Sequence, residues 1–508
     1  MAGLQADTPT ALIKNLAPIA VSQRLIALDI LRGLALAGIL FMNIEWFNRA
    51  MASLGSQDTS LTGLDHAVAW LIRCFVEGKF YTLFALLFGM GFAVMLLKAK
   101  AAERPFSAWF SRRMIALIVF GCLHMVFLWG GDILHDYGVA GLLLLGWVTL
   151  LQKERFKKYD NPQSFFKLAM VWLSVPIFVS IMSGIVFGVS HDTQALTEQW
   201  YEQIKVAKRV EAINLANEKT KLKVNEIQAE LSAVLTGNVN EAMQLELASV
   251  RTASDNLDDS NLNSDQAFEH LIEQQAQAIV TQQAEMRTEQ SEEVSAFTQA
   301  SYWQATEFRL NFALFMLMFT VPFSLTMLVP IFILGYWLVS SGIMKNYQEH
   351  STAFKTMAYV GVGFGVAFET AGLLVAQHPA AKQVMLLQAV GDTLFFIGQL
   401  VMTAGYFGLI MSLLTDEKWH RRLAIFAPMG RMALTNYIMQ SVILTSIFYG
   451  YAGGYFGEIS RAPQMLIVFA IIAVQLLFSS WWLTHYAFGP LEWLWRCLSY
   501  KKIQTMGR

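Results

Sequence analysis

Residues 114–151 read MIALIVFGCLHMVFLWGGDILHDYGVAGLLLLGWVTLL. Two apolar runs, 114–131 and 133–151, flank a Gly-Gly-Asp break. Each approaches the roughly 20 apolar residues an α-helix needs to cross a bilayer. Gly130 and Gly131 permit a tight hairpin between them. The pair therefore reads as two membrane-spanning helices joined at one membrane face.

The same pattern recurs outward along the chain. Ten apolar stretches lie near 25–47, 80–97, 114–131, 133–151, 167–189, 308–340, 355–377, 392–414, 432–452 and 464–487. The expected fold is an all-α polytopic membrane bundle of about ten transmembrane helices. The stretch 308–340 exceeds one crossing, so Pro322 and Pro330 should kink it or lay part of it along the interface. Residues 64–76 look amphipathic and suit a surface or re-entrant segment.

Composition points the same way. Of 508 residues, 55% are hydrophobic and only 15% charged, where a water-facing protein carries about a quarter charged. Mean hydropathy is +0.43. The net charge of −1 conceals an asymmetry: residues 191–300 hold about −11, leaving about +10 elsewhere. Cys74, Cys122 and Cys497 form no CxxC pair, so neither a disulfide framework nor a zinc ribbon is expected. They read as small packing residues. Residues 1–24 lack a signal-peptide pattern, so the first span should remain as an anchor.

Short-loop Lys and Arg set the expected orientation. Lys98, Lys100, Arg104, Arg112 and Arg113 follow the second span; Lys153, Arg155, Lys157 and Lys158 follow the fourth. Lys345 follows the sixth, Lys418, Arg421 and Arg422 the eighth, and Arg496, Lys501 and Lys502 the tenth. With ten spans all fall on one side, which places both termini in the cytoplasm. The domain plan is then a cytoplasmic segment 1–24, an N-terminal membrane bundle 25–189, a polar extracytoplasmic insertion 190–307, a C-terminal bundle 308–488 and a cytoplasmic tail 489–508. The insertion is rich in Gln, Glu, Ala and Leu and suits one or two helical arms turning at Thr236-Gly237-Asn238. It reads equally as a solvated spacer or a partner-binding arm.

Ionisable groups within spans are costly and therefore mark candidate sites. In the first span Asp29 and Arg32 can pair, and Asn43, eleven residues on, returns to the same face. Packing register is the plainer reading of such a pair. His124 lies deep in the third span, and Asp132 at the following turn can orient it as a general base. Lys79 follows Glu77-Gly78, His66 stands beside Asp65, and Glu369 lies inside the seventh span. Gly361, Gly363 and Gly365 near it suit close helix packing. Asn436 and Gln440 share one face of the ninth span and can bond a ligand or a neighbouring helix. Walker, Rossmann, HExxH and Gly-x-Ser-x-Gly patterns are absent, as is a basic face interleaved with aromatics. No metal site and no nucleic-acid partner are expected.

Five blocks together resemble the YeiB-like family of bacterial inner-membrane proteins, which carry a C-terminal domain of unknown function. They are Leu28-Asp29-Ile30-Leu31-Arg32-Gly33, Glu77-Gly78-Lys79-Phe80-Tyr81, Gly131-Asp132-Ile133-Leu134, Gly430-Arg431-Met432-Ala433-Leu434-Thr435-Asn436-Tyr437 and Gly489-Pro490-Leu491-Glu492-Trp493. The likeness covers nearly everything outside 190–307. The opening Asp29-x-x-Arg32-Gly33 is more distantly similar to the membrane acyltransferase superfamily, including polysaccharide O-acetyltransferases and the lysosomal heparan glucosaminide N-acetyltransferase. That resemblance implies transfer of an acyl group from cytoplasmic acyl-CoA to an extracytoplasmic acceptor. In the O-acetyltransferase branch a His follows the Arg with ten residues between; here that position is Asn43. Another base must then act, His124 first and His66 second.

Two functions stay open at this point. As an acyltransferase, the chain would use His124 and Asp132 catalytically, with Asp29, Arg32, Asn43, Lys79, Arg431, Asn436 and Gln440 binding donor or substrate. Acyl-CoA is then a donor rather than a resident cofactor, and the acceptor a surface glycan, lipid or small molecule. As a transporter, the chain would couple through Glu369 and the Asp29–Arg32 pair. Either form sits in the inner membrane with lipid as its partner, and self-association into a homo-oligomer is compatible with both.

Overall fold

The computed structural model describes residues 26–50, 61–189, 205–206, 208–210, 212–217, 219, 264–299, 301–377 and 385–507. The segment 1–24 and the Thr236-Gly237-Asn238 turn lie outside the described residues. Among those described, nine helices are long and apolar enough to cross a membrane, and Ala433–Phe448 is a shorter apolar helix. The fold is an all-α polytopic bundle; the one β feature among the described residues is an isolated Tyr486–Gly507 bridge.

The N-terminal half comprises α1 (Ile26–Asn48), α2 (Gly63–Phe75), α3 (Lys79–Ala101), α4 (Ser107–Phe127), α5 (Leu134–Leu151) and α6 (Pro162–Val189). After α7 (Ser264–Thr298) come α8 (Tyr302–Phe323), α9 (Val329–Ser340), α10 (Ser351–Gln377) and α11 (Met385–Leu414). The chain closes with α12 (Glu417–Leu423), α13 (Ala427–Arg431), α14 (Ala433–Phe448), α15 (Arg461–His485) and α16 (Pro490–Tyr500). Contacts divide the chain into a membrane body, residues 1–185 with 293–508, and a second unit, Val186–Glu292.

Sequence logic explains the elements. The expected long stretch at 308–340 begins earlier, at Tyr302, because Ser301 and Gln304 form a reciprocal capping box. It then runs through a π-helical turn, Ser324–Leu328, between Pro322 and Pro330. That widening re-seats backbone groups that two prolines would leave mismatched. The expected span 432–452 is a helix of only 16 residues, about 24 Å long. The amphipathic segment forms α2, which packs on α10 and α15 and leaves Leu64, Trp70 and Leu71 exposed.

At the centre is α1, whose Ile30, Leu31, Leu36, Leu40 and Ile44 are buried among α3, α13, α14 and α15. Elsewhere one face of a helix looks outward. Met170, Phe178 and Val186 on α6, Leu314, Phe315 and Met318 on α8, and Leu466, Phe469 and Leu477 on α15 are exposed. Such apolar outer faces fit lipid as solvent. The hairpin α10–α11 is the tightest pair: a Cβ at Gly361 would lie 2.5 Å from the Gly405 Cα. Gly365 lies equally close to Met402, whereas Gly363, on the far side of the turn, faces open space.

Two ends of the membrane body differ in chemistry. At one, Arg112 Nε donates to the Ser499 carbonyl and Trp495 Nε1 to that of Arg113. This is the basic end, where α16 packs on α4 and α13 packs on the start of α1. At the other, Asn48 Nδ2 donates to the Ile459 carbonyl and Arg309 Nε to that of Val126.

In the second unit, Val206 and Val210 pack with Ile272, Ala276 and Val280. Residues 205–206, 208–210, 212–217 and 219 and those of α7 are helical, in keeping with helical arms among the described residues.

Candidate functional site

A cavity of about 260 Å³ begins at the basic end and runs between α1, α3, α4 and α14. Four guanidiniums from four different helices wall its mouth: Arg32, Arg113, Arg431 and Arg496. Each is held by its surroundings. Arg32 Nη1 donates to Asp29 Oδ1 at 3.2 Å. Arg113 stacks 3.4 Å above the Trp495 ring, and Arg496 lies 4.4 Å from the Phe488 ring. Gly91 on α3 clears room for Arg32, since a Cβ there would stand 2.9 Å from Nη2. Glu492 also faces the cavity and caps α14: it accepts from the Leu434 and Thr435 amides at 2.7 and 3.0 Å and from Thr435 Oγ1 at 2.6 Å. Burial pushes its carboxyl above the usual range, and those hydrogen bonds hold back part of the rise.

Beyond the mouth the wall is apolar, with Leu36, Ile39, Phe84, Phe88, Met95 and Leu117. Arg32, Leu36 and Ile39 form one stripe of α1, and Asn43 continues it by one more turn. Ile133, Leu134, Tyr137 and Tyr437 close the inner end.

Directly behind Tyr437 lies a buried polar cluster. The Tyr437 ring centroid is 5.2 Å from that of His124. His124 Nδ1 is 2.7 Å from Asp132 Oδ2, and its Nε2 is 2.8 Å from Ser441 Oγ. The other carboxylate oxygen of Asp132 accepts from the His135 amide and faces His135 Nδ1, both at 3.1 Å. Burial pushes the Asp132 carboxyl up, but hydrogen bonds from His124 and His135 outweigh it and hold the group below the usual range. An ionised Asp132 fixes the proton on His124 Nδ1 and leaves Nε2 to accept from Ser441. The geometry arises locally. α4 ends at Phe127, with the Leu128 and Trp129 amides both bonding the His124 carbonyl at 2.9 Å, and the chain turns at once into α5. Gly121 lets the start of α5 approach, because a Cβ there would meet Asp132 Oδ1 at 2.5 Å.

The residues singled out in the sequence divide into three groups. Asp29, Arg32 and Arg431 stand on the cavity wall, and His124 and Asp132 stand together behind its inner end. Asn43 holds the Tyr81 hydroxyl, and the Tyr137 hydroxyl donates to the Tyr81 carbonyl at 3.2 Å, so Asn43 lies in the layer behind the wall. The others lie elsewhere. Lys79 donates to Glu369 Oε2 at 2.6 Å and to the Arg73 carbonyl at 3.0 Å, and both charged side chains are 0% exposed. Asn436 Nδ2 donates to Ser479 Oγ at 2.9 Å and Gln440 Nε2 to Gln475 Oε1 at 2.9 Å, tying α14 to α15. His66 is exposed on α2.

Sequence reading did not single out Ser441, His135, Gly91 and Tyr137. Arg113 and Arg496 entered only as loop charges. Glu492 and Tyr437 sat within quoted blocks without a role. No local signal marks Ser441, because a serine in a span ordinarily bonds its own helix. Among the described residues no group of three His, Cys, Asp or Glu side chains is arranged to hold a metal ion.

Comparison with known proteins agrees with the family resemblance and adds no activity. Residues 338–502 match the family model described as a protein of unknown function (DUF418). The uncharacterized protein YxaH of Bacillus subtilis (strain 168) is 25% identical over 502 residues, covering 98% of this chain and 99% of its own. The uncharacterized protein YeiB of Escherichia coli (strain K12) is 24% identical over 481 residues, 94% of this chain and 96% of its own. An uncharacterized 39.9 kDa protein from Bacillus acidopullulyticus is 24% identical and aligns over 96% of each chain. This chain has a mass of 57.0 kDa. No solved structure matches.

Proposed function

We propose that this YeiB-like chain is a membrane acyltransferase that takes an acyl group from acyl-CoA at its basic end and passes it to an acceptor reached from the opposite end. One observation carries the reading. A single cavity joins four guanidiniums to the wall directly in front of His124 and Asp132. A cluster of arginines suits phosphates, which guanidinium meets with paired hydrogen bonds. The apolar passage suits a slender thioester arm. Its volume of about 260 Å³ lies just under the ordinary range for small-molecule pockets, about 300–1,000 Å³. A nucleotide would therefore stay at the mouth while the arm enters.

His124 then serves as general base and Asp132 orients it. With Asp132 ionised and Nδ1 protonated, Nε2 is the basic nitrogen, and the imidazolium can return the proton to the leaving thiolate. Excess Lys and Arg at the mouth end favour a cytoplasmic location for it. That orientation would put both termini in the cytoplasm, and the YeiB-like reading would put the protein in the bacterial inner membrane. The acceptor would be a surface glycan, lipid or small molecule.

The test is thiol release from acetyl-CoA and hexanoyl-CoA by purified protein in nanodiscs. His124→Ala should lower turnover by about 10²–10⁴-fold, the usual span for a general base, while its elution profile shows it still folded. A variant that keeps turning over discards the assignment.

Transport of a small molecule is the second reading, and Lys79–Glu369 favours it. Among the described residues the buried Glu369 Oε1 atom has no hydrogen-bond partner, as befits a proton-exchanging carboxyl. Counterflow in proteoliposomes without any acyl donor would support transport over transfer.

A further inference from the structure

Resting on the acyltransferase reading, we propose that Ser441 is the nucleophile and carries the acyl group as an ester between donor and acceptor. Ser441 is buried near the middle of α14, with its Oγ 2.8 Å from His124 Nε2, while His124 Nδ1 is 2.7 Å from Asp132 Oδ2. Hydroxyl, imidazole and carboxylate thus stand in series, the order in which a base activates a serine and a carboxylate orients the base.

A packing role for Ser441 makes a different geometric demand. A serine or threonine that only satisfies itself in a helix bonds the carbonyl four residues back. This chain does so at Ser446 (2.7 Å), Thr149 (2.8 Å) and Thr306 (2.8 Å). Ser441 sits 3.5 Å from the Tyr437 carbonyl, at the limit of a hydrogen bond, and turns its hydroxyl to His124 instead. Its place along the helix is also apt. Tyr437 closes the inner end of the cavity, and Ser441 lies one turn beyond on the same face. Helix side chains lean toward the helix N-terminus, which tips Oγ back toward Tyr437 and the cavity.

The chemistry balances without an outside reagent beyond donor and acceptor. Ser441 Oγ attacks the thioester carbonyl and its proton passes to His124 Nε2. The C–S bond breaks, His124 returns the proton to sulfur, and CoA leaves as the thiol by the basic end. An acceptor hydroxyl or amine then attacks the ester, giving its proton to His124. The bond to Oγ breaks and Ser441 regains that proton. The two substrates therefore need never meet, which suits a donor and an acceptor on opposite faces of a membrane.

The experiment treats the full chain in nanodiscs with [¹⁴C]acetyl-CoA, without acceptor, and quenches in acid. The expected result is one acetyl group on the peptide containing Ser441, stable to neutral hydroxylamine and released by alkaline hydroxylamine. Ser441→Cys should carry the label as a thioester that neutral hydroxylamine removes. Ser441→Ala should carry none and lose at least a hundredfold in transfer. Transfer by Ser441→Ala within a fewfold of wild type overturns the nucleophile and leaves direct transfer standing. So does label on neither wild type nor Ser441→Cys while wild type still turns over. Wild type that consumes neither acetyl-CoA nor hexanoyl-CoA removes the transferase reading and this proposal together.

Discussion

Two of the regions of the membrane body that hold ionisable side chains inside the bundle are built to opposite plans. In one, Lys79 and Glu369 join helices 290 positions apart in the chain at 2.6 Å, with both side chains 0% exposed. Neither residue lines the arginine-walled cavity, and the ammonium also donates to the Arg73 carbonyl. In the other, Arg32, Arg113, Arg431 and Arg496 open on a cavity whose far wall abuts His124. Charge within hydrocarbon is therefore not enough to name a site. The closed pair ties α10 to α3, while the open cluster lines a cavity, and only the second arrangement leaves room for a ligand.

The largest effect that would break this contrast belongs to the closed pair. Lys79→Met leaves Glu369 buried without its cation and should cost about 3–5 kcal/mol of stability, whereas Lys79→Met with Glu369→Leu should recover most of it. Thermal midpoints of the purified variants check both. Acyl transfer by the double variant should stay near wild type. If it keeps wild-type stability but loses activity, the pair is functional and the contrast fails.

The open cluster should respond in binding rather than in folding. Arg113→Ala removes one guanidinium from the mouth and should raise KM for acetyl-CoA about 10–100-fold with kcat little changed, the worth of a charge-assisted hydrogen bond being about 1.5–3 kcal/mol. Arg113→Lys should rescue only part, because an ammonium cannot stack flat on Trp495 as the guanidinium does at 3.4 Å. An unchanged KM would separate the arginines from the donor.

Much of this was legible in the sequence, for reasons of period. Helix length and the 3.6-residue repeat read from the chain alone, so the apolar stretches matched the helices. The stripe from Arg32 through Leu36 and Ile39 to Asn43 was legible for the same reason. His124 and Asp132 could be joined because one short turn separates them. What one helix presents to another is a different matter. Lys79 reads as a binding residue from the chain alone, and nothing local reveals its partner 290 positions away. Asn436 and Gln440 share a face as expected, but their partners Ser479 and Gln475 sit on α15. Ser441 gave no signal, since only the fold brings it beside His124.

Two glycines sharpen the contrast at its smallest scale. A Cβ at Gly361 would press on Gly405 backbone at 2.5 Å, and neither helix of the α10–α11 hairpin can yield without separating. Gly361→Ala should therefore cost about 1–3 kcal/mol of stability, as overpacking does, and leave KM unchanged. At Gly91 the nearest atom is the far end of a flexible side chain, Arg32 Nη2 at 2.9 Å. Gly91→Ala replaces a helix-interior glycine, which favours the helix by about 0.5–1 kcal/mol and offsets the local crowding. Stability should hardly move. The guanidinium, however, must shift by a few tenths of an ångström at the cavity mouth, so KM for acetyl-CoA should rise about two- to fivefold, below about 1 kcal/mol. Steady-state kinetics beside thermal midpoints for the two variants read both effects. If Gly91→Ala loses stability as Gly361→Ala does, Arg32 is a packing residue held like Lys79, and the mouth of the cavity is not built to bind.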